Sequence, residues 1–146
     1  MSVKWEFSAG GVVIKEEDGQ TFVLLIRNKD RYGFPKGNIE RTEKKEEAAV
    51  REVKEETGVD AEPIEYLGNV EYWYRSGTET IHKFVYYYLM KYKGGELNPQ
   101  KEEIEAAEWI PAEEVLDKLS FDKDKKIFNI AMQKLQKLKV HAWSIC

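Results

Sequence analysis

Five consecutive apolar residues, Phe22-Val23-Leu24-Leu25-Ile26, constrain the fold of this chain more than any other segment. A strand with one wet face alternates apolar and polar side chains, whereas an unbroken run suits a central strand covered on both sides. Asp18-Gly19 just before it is a hairpin signal. The partner strand is then Ser8 to Lys15, entered through Gly10-Gly11 and continued by Val12-Val13-Ile14. Arg27 to Glu40, with Gly33, Pro35 and Gly37, is expected to be a loop. Residues 45–57 read as a helix with Ala49, Val50 and Val53 on one face and Gly58 as its stop. Residues 64–74 and 79–92 are aromatic-rich strands split by Ser76-Gly77. A short strand follows at 105–110, and Pro111 opens a helical stretch. Asp122 to Leu138 is a terminal helix with apolar residues at 127, 130, 131, 135 and 138. Strands before, between and after helices give a mixed α and β class with helices on a sheet.

Composition narrows what such a fold does. The 146 residues are one domain's worth of chain, 42% apolar, with a net charge of −4. That balance argues against a nucleic-acid coat or a polybasic membrane binder, yet allows an anionic substrate held by a few placed cations. The longest fully apolar run, Phe84 to Met90, is far short of a spanning helix, and the first residues lack a signal peptide's apolar stretch. The single cysteine, Cys146, leaves no intramolecular disulfide and points to a reducing compartment. His141 carries no reading of its own. A single domain over 1–146 in a cytoplasmic setting is the expectation.

The chemistry concentrates in Gly37 to Val59. At about 100° per residue, Glu55 and Glu56 lie within roughly 60° of Glu52 around the helix axis, so three carboxylates share one edge beside the apolar face. Like charges at this spacing cost about 0.2–0.5 kcal/mol per pair, and the last turn of a helix disfavours anions. A bound cation reverses both penalties, and oxygen-only ligands select a hard ion, Mg²⁺ or Mn²⁺. Glu47, Arg51 and Glu55 at i, i+4 and i+8 also fit a solvated ion-pair ladder, and helix geometry alone does not choose between the two. Gly37 permits close backbone approach, Lys36 is a natural phosphate partner, and Pro35 stiffens the approach.

Gly37, five residues, Glu43, seven residues, then Arg51-Glu52-Val53-Lys54-Glu55-Glu56-Thr57-Gly58-Val59 resembles the Nudix box at every signature position. The resemblance implies an α/β/α sandwich around a mixed sheet and hydrolysis of a nucleoside diphosphate linked to another moiety. By position, Glu52, Glu55 and Glu56 are implied as metal ligands, with the Gly37 carbonyl in the same shell. Arg51 is implied to orient a glutamate, and Glu43 to support the geometry between loop and helix. The general base is Glu52 or a glutamate of the later loop Glu102-Glu103-Ile104-Glu105, where Glu103 is the choice and also a candidate ligand.

Within the family, Phe34-Pro35-Lys36-Gly37 resembles the loop of asymmetrical dinucleoside polyphosphate hydrolases. Lys83, on a strand face with Val85 and Tyr87, resembles the phosphate-contacting lysine of that group. Tyr74 at a strand end and Phe121 before the last helix are candidates to stack on base rings, with Tyr32 standing where relatives usually carry Trp. Alternation places Trp73 opposite Tyr72 and Tyr74 and assigns it to the core; His82 is assigned a structural place or a packing contact with Phe84. The implied reaction is Mg²⁺-dependent cleavage of diadenosine tetraphosphate to ATP and AMP. Alternatives are removal of pyrophosphate from a nucleoside triphosphate or an RNA 5′ end, and nucleotide sensing without turnover. The expected partner is a small nucleotide, with no membrane, and exposed aromatics permit a monomer or a homodimer.

Overall fold

A computed structural model describes the backbone of residues 2–145 and the side chains of residues 2–139, so Cys146 and the His141 side chain lie outside the described residues. Strand β1 (Val3–Glu17) turns into β2 (Gln20–Asn28) with Ile14 opposite Val23. The two turn residues, Asp18 (φ 52) and Gly19 (φ 79), both take the left-handed conformation that a two-residue hairpin requires. The aromatic-rich segments form a second, longer hairpin, β5 (Asp60–Ser76) and β6 (Glu79–Gly94). Strand β6 then runs parallel to β1, from Val3 opposite Thr80 to Ile14 opposite Lys91. Strands β3 (Arg31–Gly33) and β7 (Ala106–Pro111) pair with β2, and β4 (Lys36–Asn38) pairs with β1, completing a seven-stranded mixed sheet.

Both faces of that sheet are covered, which accounts for the unbroken apolar run. Val23 and Leu25 join Val12, Val85 and Leu89 against Ile127, Phe128 and Ala131 of helix α3 (Asp122–Ile145). Leu24 points the other way, into a cluster with Ala9, Val13 and Met90 against Ala48, Ala49 and Val53 of helix α1 (Lys45–Thr57). Alternate residues of one strand thus serve two separate cores, and the architecture is the expected α/β/α sandwich. Helix α1 ends as its sequence demands. Gly58 adopts φ 87, and its N–H donates to the Lys54 carbonyl at 2.8 Å.

One expectation needs revision, and one is borne out with added detail. The segment from Arg27 to Glu40 is not all loop, because it carries β3 and β4. Three-residue strands have no alternation to detect; Ser8, Ala9 and Gly10 opposite Asn38, Gly37 and Lys36 create β4 by pairing. The helical stretch after Pro111 is a 3₁₀ turn (Ala112–Glu114) followed by the single turn α2 (Val115–Lys118). No helix among the described residues is long and apolar enough to cross a membrane.

Candidate active site

The parallel pairing of β1 with β6 and the short β4 bring the carboxylate edge of α1 against the strand that contains Gly37. Glu52 and Glu56 are buried although both side chains end in carboxyl groups, and Glu55 is half-exposed. A Cβ on Gly37 would stand 2.1 Å from Cδ of Glu52, so only hydrogen fits there. The Lys36 backbone N–H donates to Oε1 of Glu56 at 2.8 Å. Burial pushes the Glu56 carboxyl up to about 7, against the opposing pull of that N–H and of nearby lysine charge.

Arg51 clamps the edge. Its Nε and Nη2 donate to the two oxygens of Glu43 at 2.6 and 2.8 Å, a bidentate pair. Its Nη1 reaches Glu55 at 2.6 Å and Glu52 at 3.1 Å, and Nη2 also reaches the Asn38 carbonyl at 2.9 Å. The Arg51 hydrogen bonds hold the Glu43 carboxyl below its usual range. Glu47 takes no part; it accepts from the Lys44 backbone N–H instead. The ion-pair ladder is therefore only half realised, and the arginine is spent on linking the loop to the acidic edge.

The later loop arrives differently from expectation. Its backbone caps the end of α1, with Asn98 N–H on the Thr57 carbonyl and Gln100 N–H on the Glu55 carbonyl at 2.7 and 2.9 Å. That docking delivers Lys101, whose Nζ sits 2.5 Å from Glu52 and 3.7 Å from Glu56. Burial would lower the Lys101 ammonium's pKa, but the Glu52 hydrogen bond and the surrounding carboxylates outweigh it and raise it. Glu103 lies exposed two residues further on and makes none of the polar contacts that join Lys101 to α1. Lys101 was missed because a lysine in a charged run carries no signature of where it lands.

The residues fit a hard divalent cation. Two nearly water-free carboxylates converge on a positive charge, and a glycine leaves space where a Cβ would collide. Glu52 and Glu56 are the side chains that would hold such an ion. Glu55 is turned onto Arg51, and no three acidic, His or Cys side chains among the described residues surround one point in this arrangement. An ammonium occupying the cation's place predicts a specific linkage. Lys101→Met should lower the stability of metal-free protein by about 1–2 kcal/mol, and the deficit should vanish with saturating Mg²⁺. Urea unfolding with and without Mg²⁺ measures it. An equal deficit in both would show that Lys101 and the ion do not share a place.

Beside this edge, on the α3 side of the sheet, opens a cavity of about 710 Å³. Its lining brings together five residues singled out in the sequence, Tyr32, Lys36, Tyr74, Lys83 and Phe121. Lys83 is placed there because it shares a strand face with Val85 and Tyr87. Burial, aided by the charge of Lys36, lowers the Lys83 ammonium. Lys36 joins the two regions, with its backbone on Glu56 and its side chain on the cavity. Tyr74 and Phe121 are exposed, and the Tyr74 hydroxyl donates to Glu6 at 2.7 Å. Tyr32 donates through its hydroxyl to Glu108 at 3.0 Å. Trp73, assigned to the core, is instead 61% exposed; it belongs to the strand at the cavity's edge, but its ring lies on the opposite sheet face, stacked on His82 at 3.8 Å. The alternation itself holds, since Tyr72 faces the α3 core, but neither helix extends over this end of the hairpin to cover Trp73. His82 packs against Phe84 at 4.4 Å, as expected, and its Nε2 pairs with Glu71.

The NUDIX domain model matches residues 6–129. This chain belongs to the NUDIX domain family. It is 36% identical over 141 residues to "Putative mutator protein MutT4" of Mycobacterium tuberculosis, covering 91% of this chain and 57% of that protein. It is 40% identical over 65 residues to an RNA pyrophosphohydrolase of Xanthomonas campestris, covering 44% of this chain and 32% of the relative. The chain thus spans little more than half of the first relative and about a third of the second. Among solved structures, a Caenorhabditis elegans Ap4A hydrolase binary complex superposes with a TM-score of 0.74 at 20% identity, covering 90% of this chain and 98% of that one. That likeness is one of fold.

Proposed function

We propose that this NUDIX chain is a divalent-metal-dependent hydrolase of phosphoanhydride bonds, and that its substrate is diadenosine tetraphosphate, cut to ATP and AMP. The carrying observation is the adjacency of a buried carboxylate pair to a lysine- and aromatic-lined cavity, with Lys36 reaching both. A bound Mg²⁺ or Mn²⁺ supplies neutralisation of phosphate charge and acidification of a water. The chain's own groups do the rest. Glu52 and Glu56, with Glu55 and the Gly37 carbonyl, hold the ion. Glu52 or Glu103 takes the proton of the attacking water, and Arg51 keeps Glu52 and Glu55 oriented. Lys36 and Lys83 neutralise phosphates that enter the cavity, while Tyr74, Phe121 and Tyr32 offer ring faces to the bases. Four cationic residues along one cavity, Lys29, Arg31, Lys36 and Lys83, suit a polyphosphate, and several ring faces suit more than one base.

A second reading is removal of pyrophosphate from a nucleoside triphosphate or an RNA 5′ end, and its RNA form is favoured by the name of the Xanthomonas campestris relative. A panel of diadenosine tetraphosphate, nucleoside triphosphates and 5′-triphosphate RNA, assayed with Mg²⁺ and with products identified, decides between them. ATP and AMP at the highest initial rate support the first reading. Two ADP would contradict asymmetric attack, pyrophosphate release would move the assignment to the second reading, and binding without turnover would indicate a sensor.

A further inference from the structure

The sheet ends in a strand with a free edge. Among the described residues β5 pairs with β6 alone and is the last strand on its side of the sheet. Free strand edges are templates for a second chain, and proteins blunt them with prolines, bulges and charge. The first part of β5 is blunted in this way, by Pro63 and by the shift of register between Tyr66 and Gly68. Over residues 70–76 the register with β6 runs unbroken, and Trp73 and Tyr74 in this stretch are exposed. The two-residue turn Gly77-Thr78 makes Ser76 and Glu79 the first hydrogen-bonded pair of the hairpin. Bonded pairs alternate, so Tyr74 and Tyr72 also bond to β6, while Arg75, Trp73 and Glu71 turn their N–H and C=O groups outward. The Glu71 carbonyl fits this direction, since the donor that reaches it is the Lys123 ammonium of α3.

The outward stretch is a charge-reversed palindrome. Glu71-Tyr72-Trp73-Tyr74-Arg75 sets an acid and a base at equal distances either side of Trp73, with a tyrosine between on each side. Two copies pairing antiparallel about a two-fold axis must cross at a residue, because side chains directly opposite each other share a face. Crossing at Trp73 puts Glu71 of each copy opposite Arg75 of the other, and Tyr72 of each opposite Tyr74 of the other. Crossing at Tyr72 or Tyr74 instead sets Glu71 or Arg75 opposite Trp73 and pairs no opposite charges. We propose that the outer edge of β5 is a homodimer interface, in which residues 70–76 pair antiparallel with the same segment of a second copy, centred on Trp73. The second strand takes the Glu71 carbonyl over from Lys123 and joins two seven-stranded sheets into one. The row formed by Trp5, His82 and Trp73, with ring centroids 4.7 and 3.8 Å apart, then continues across the axis. This interface is independent of which nucleotide the cavity takes.

Analytical ultracentrifugation of the full chain over a dilution series tests the interface. A strand pair of this length is small, so the wild-type dimer should dissociate with a Kd on the order of 10 μM. Glu71→Arg and Arg75→Glu should each weaken self-association by about tenfold or more, because each sets like charges opposite one another twice across the axis. Mixed in equal amounts, the two variants should form a heterodimer within about threefold of wild-type affinity, since every cross-strand charge pair is then restored. A variant that had merely lost its fold could not be rescued in this way. Wild type that stays monomeric up to about 1 mM, well above the expected Kd, overturns the proposal. A dimer indifferent to either substitution, or single variants that do not rescue each other, also overturns it.

Discussion

Glu56→Gln is expected to lose roughly a thousandfold in the rate of phosphoanhydride cleavage with Mg²⁺ while keeping its fold. The substitution preserves volume and an oxygen that can accept the Lys36 N–H, so β4 stays docked on α1. What it removes is one full charge from a nearly water-free site facing a cation, a loss of several kcal/mol of electrostatic stabilisation. The same variant carries a stability signature with a definite sign. The Glu56 carboxyl sits near 7 in the folded metal-free chain against an ordinary value of 4.5. A carboxyl that holds its proton more tightly when folded adds stability below about pH 4.5 and loses it as pH rises through about 7. Metal-free wild type should therefore weaken across that window, by at most about 3 kcal/mol from this group. Glu56→Gln should lack that slope and be the more stable of the two at pH 8 in EDTA. Chemical unfolding at pH 5 and pH 8, beside initial rates, checks both halves. A variant that is fully active, or whose pH slope matches wild type, would show that the buried carboxylate is neither ligand nor strained charge.

Arg51→Met is expected to destabilise the chain by about 2–4 kcal/mol, the largest effect of any single change outside the two cores. Arg51 serves four acceptors on three parts of the structure, Glu43 and Asn38 before α1 and Glu52 and Glu55 on it. Methionine keeps much of the stem's packing but leaves Glu52, only 5% exposed at its side chain, and Glu43, 16% exposed, without their shared cation. The arginine itself is 28% exposed, which keeps the loss below that of a fully buried pair. The double variant Arg51→Met with Glu43→Gln should recover part of the loss, because one orphaned charge is gone. Urea unfolding curves with unchanged slope give the comparison. A loss under 0.5 kcal/mol for the single variant would mean that the clamp is a surface ornament.

Local periodicity made much of this molecule legible. The edge of α1 that carries Glu52, Glu55 and Glu56, the stop at Gly58 and the Asp18-Gly19 turn all depend on bonds between near neighbours in the chain, and each stands where the residues place it. The face shared by Lys83, Val85 and Tyr87 was equally readable, since strand alternation is geometric. The failures share a cause. The strands β3 and β4 exist only because β2 and β1 offer them partners. Trp73 lies on the face that alternation assigns it, yet that face is bare, because whether a helix covers a strand end depends on where the helix stops in space.

By itself the chain's order of residues determined two things here. A strand buried on both sides needs two helical layers, and an acidic helix edge needs positive charge. The identity of that charge in the metal-free state, Lys101, was decided by the packing of a loop 49 residues away from Glu52. Tertiary structure alone likewise gathered Lys36, Lys83 and Phe121, far apart in the chain, around one cavity. The physical reason is one of range. Helix and strand periods are properties of adjacent dihedral angles, whereas the partners of a buried charge are chosen by sheet register and layer packing, which no local window contains.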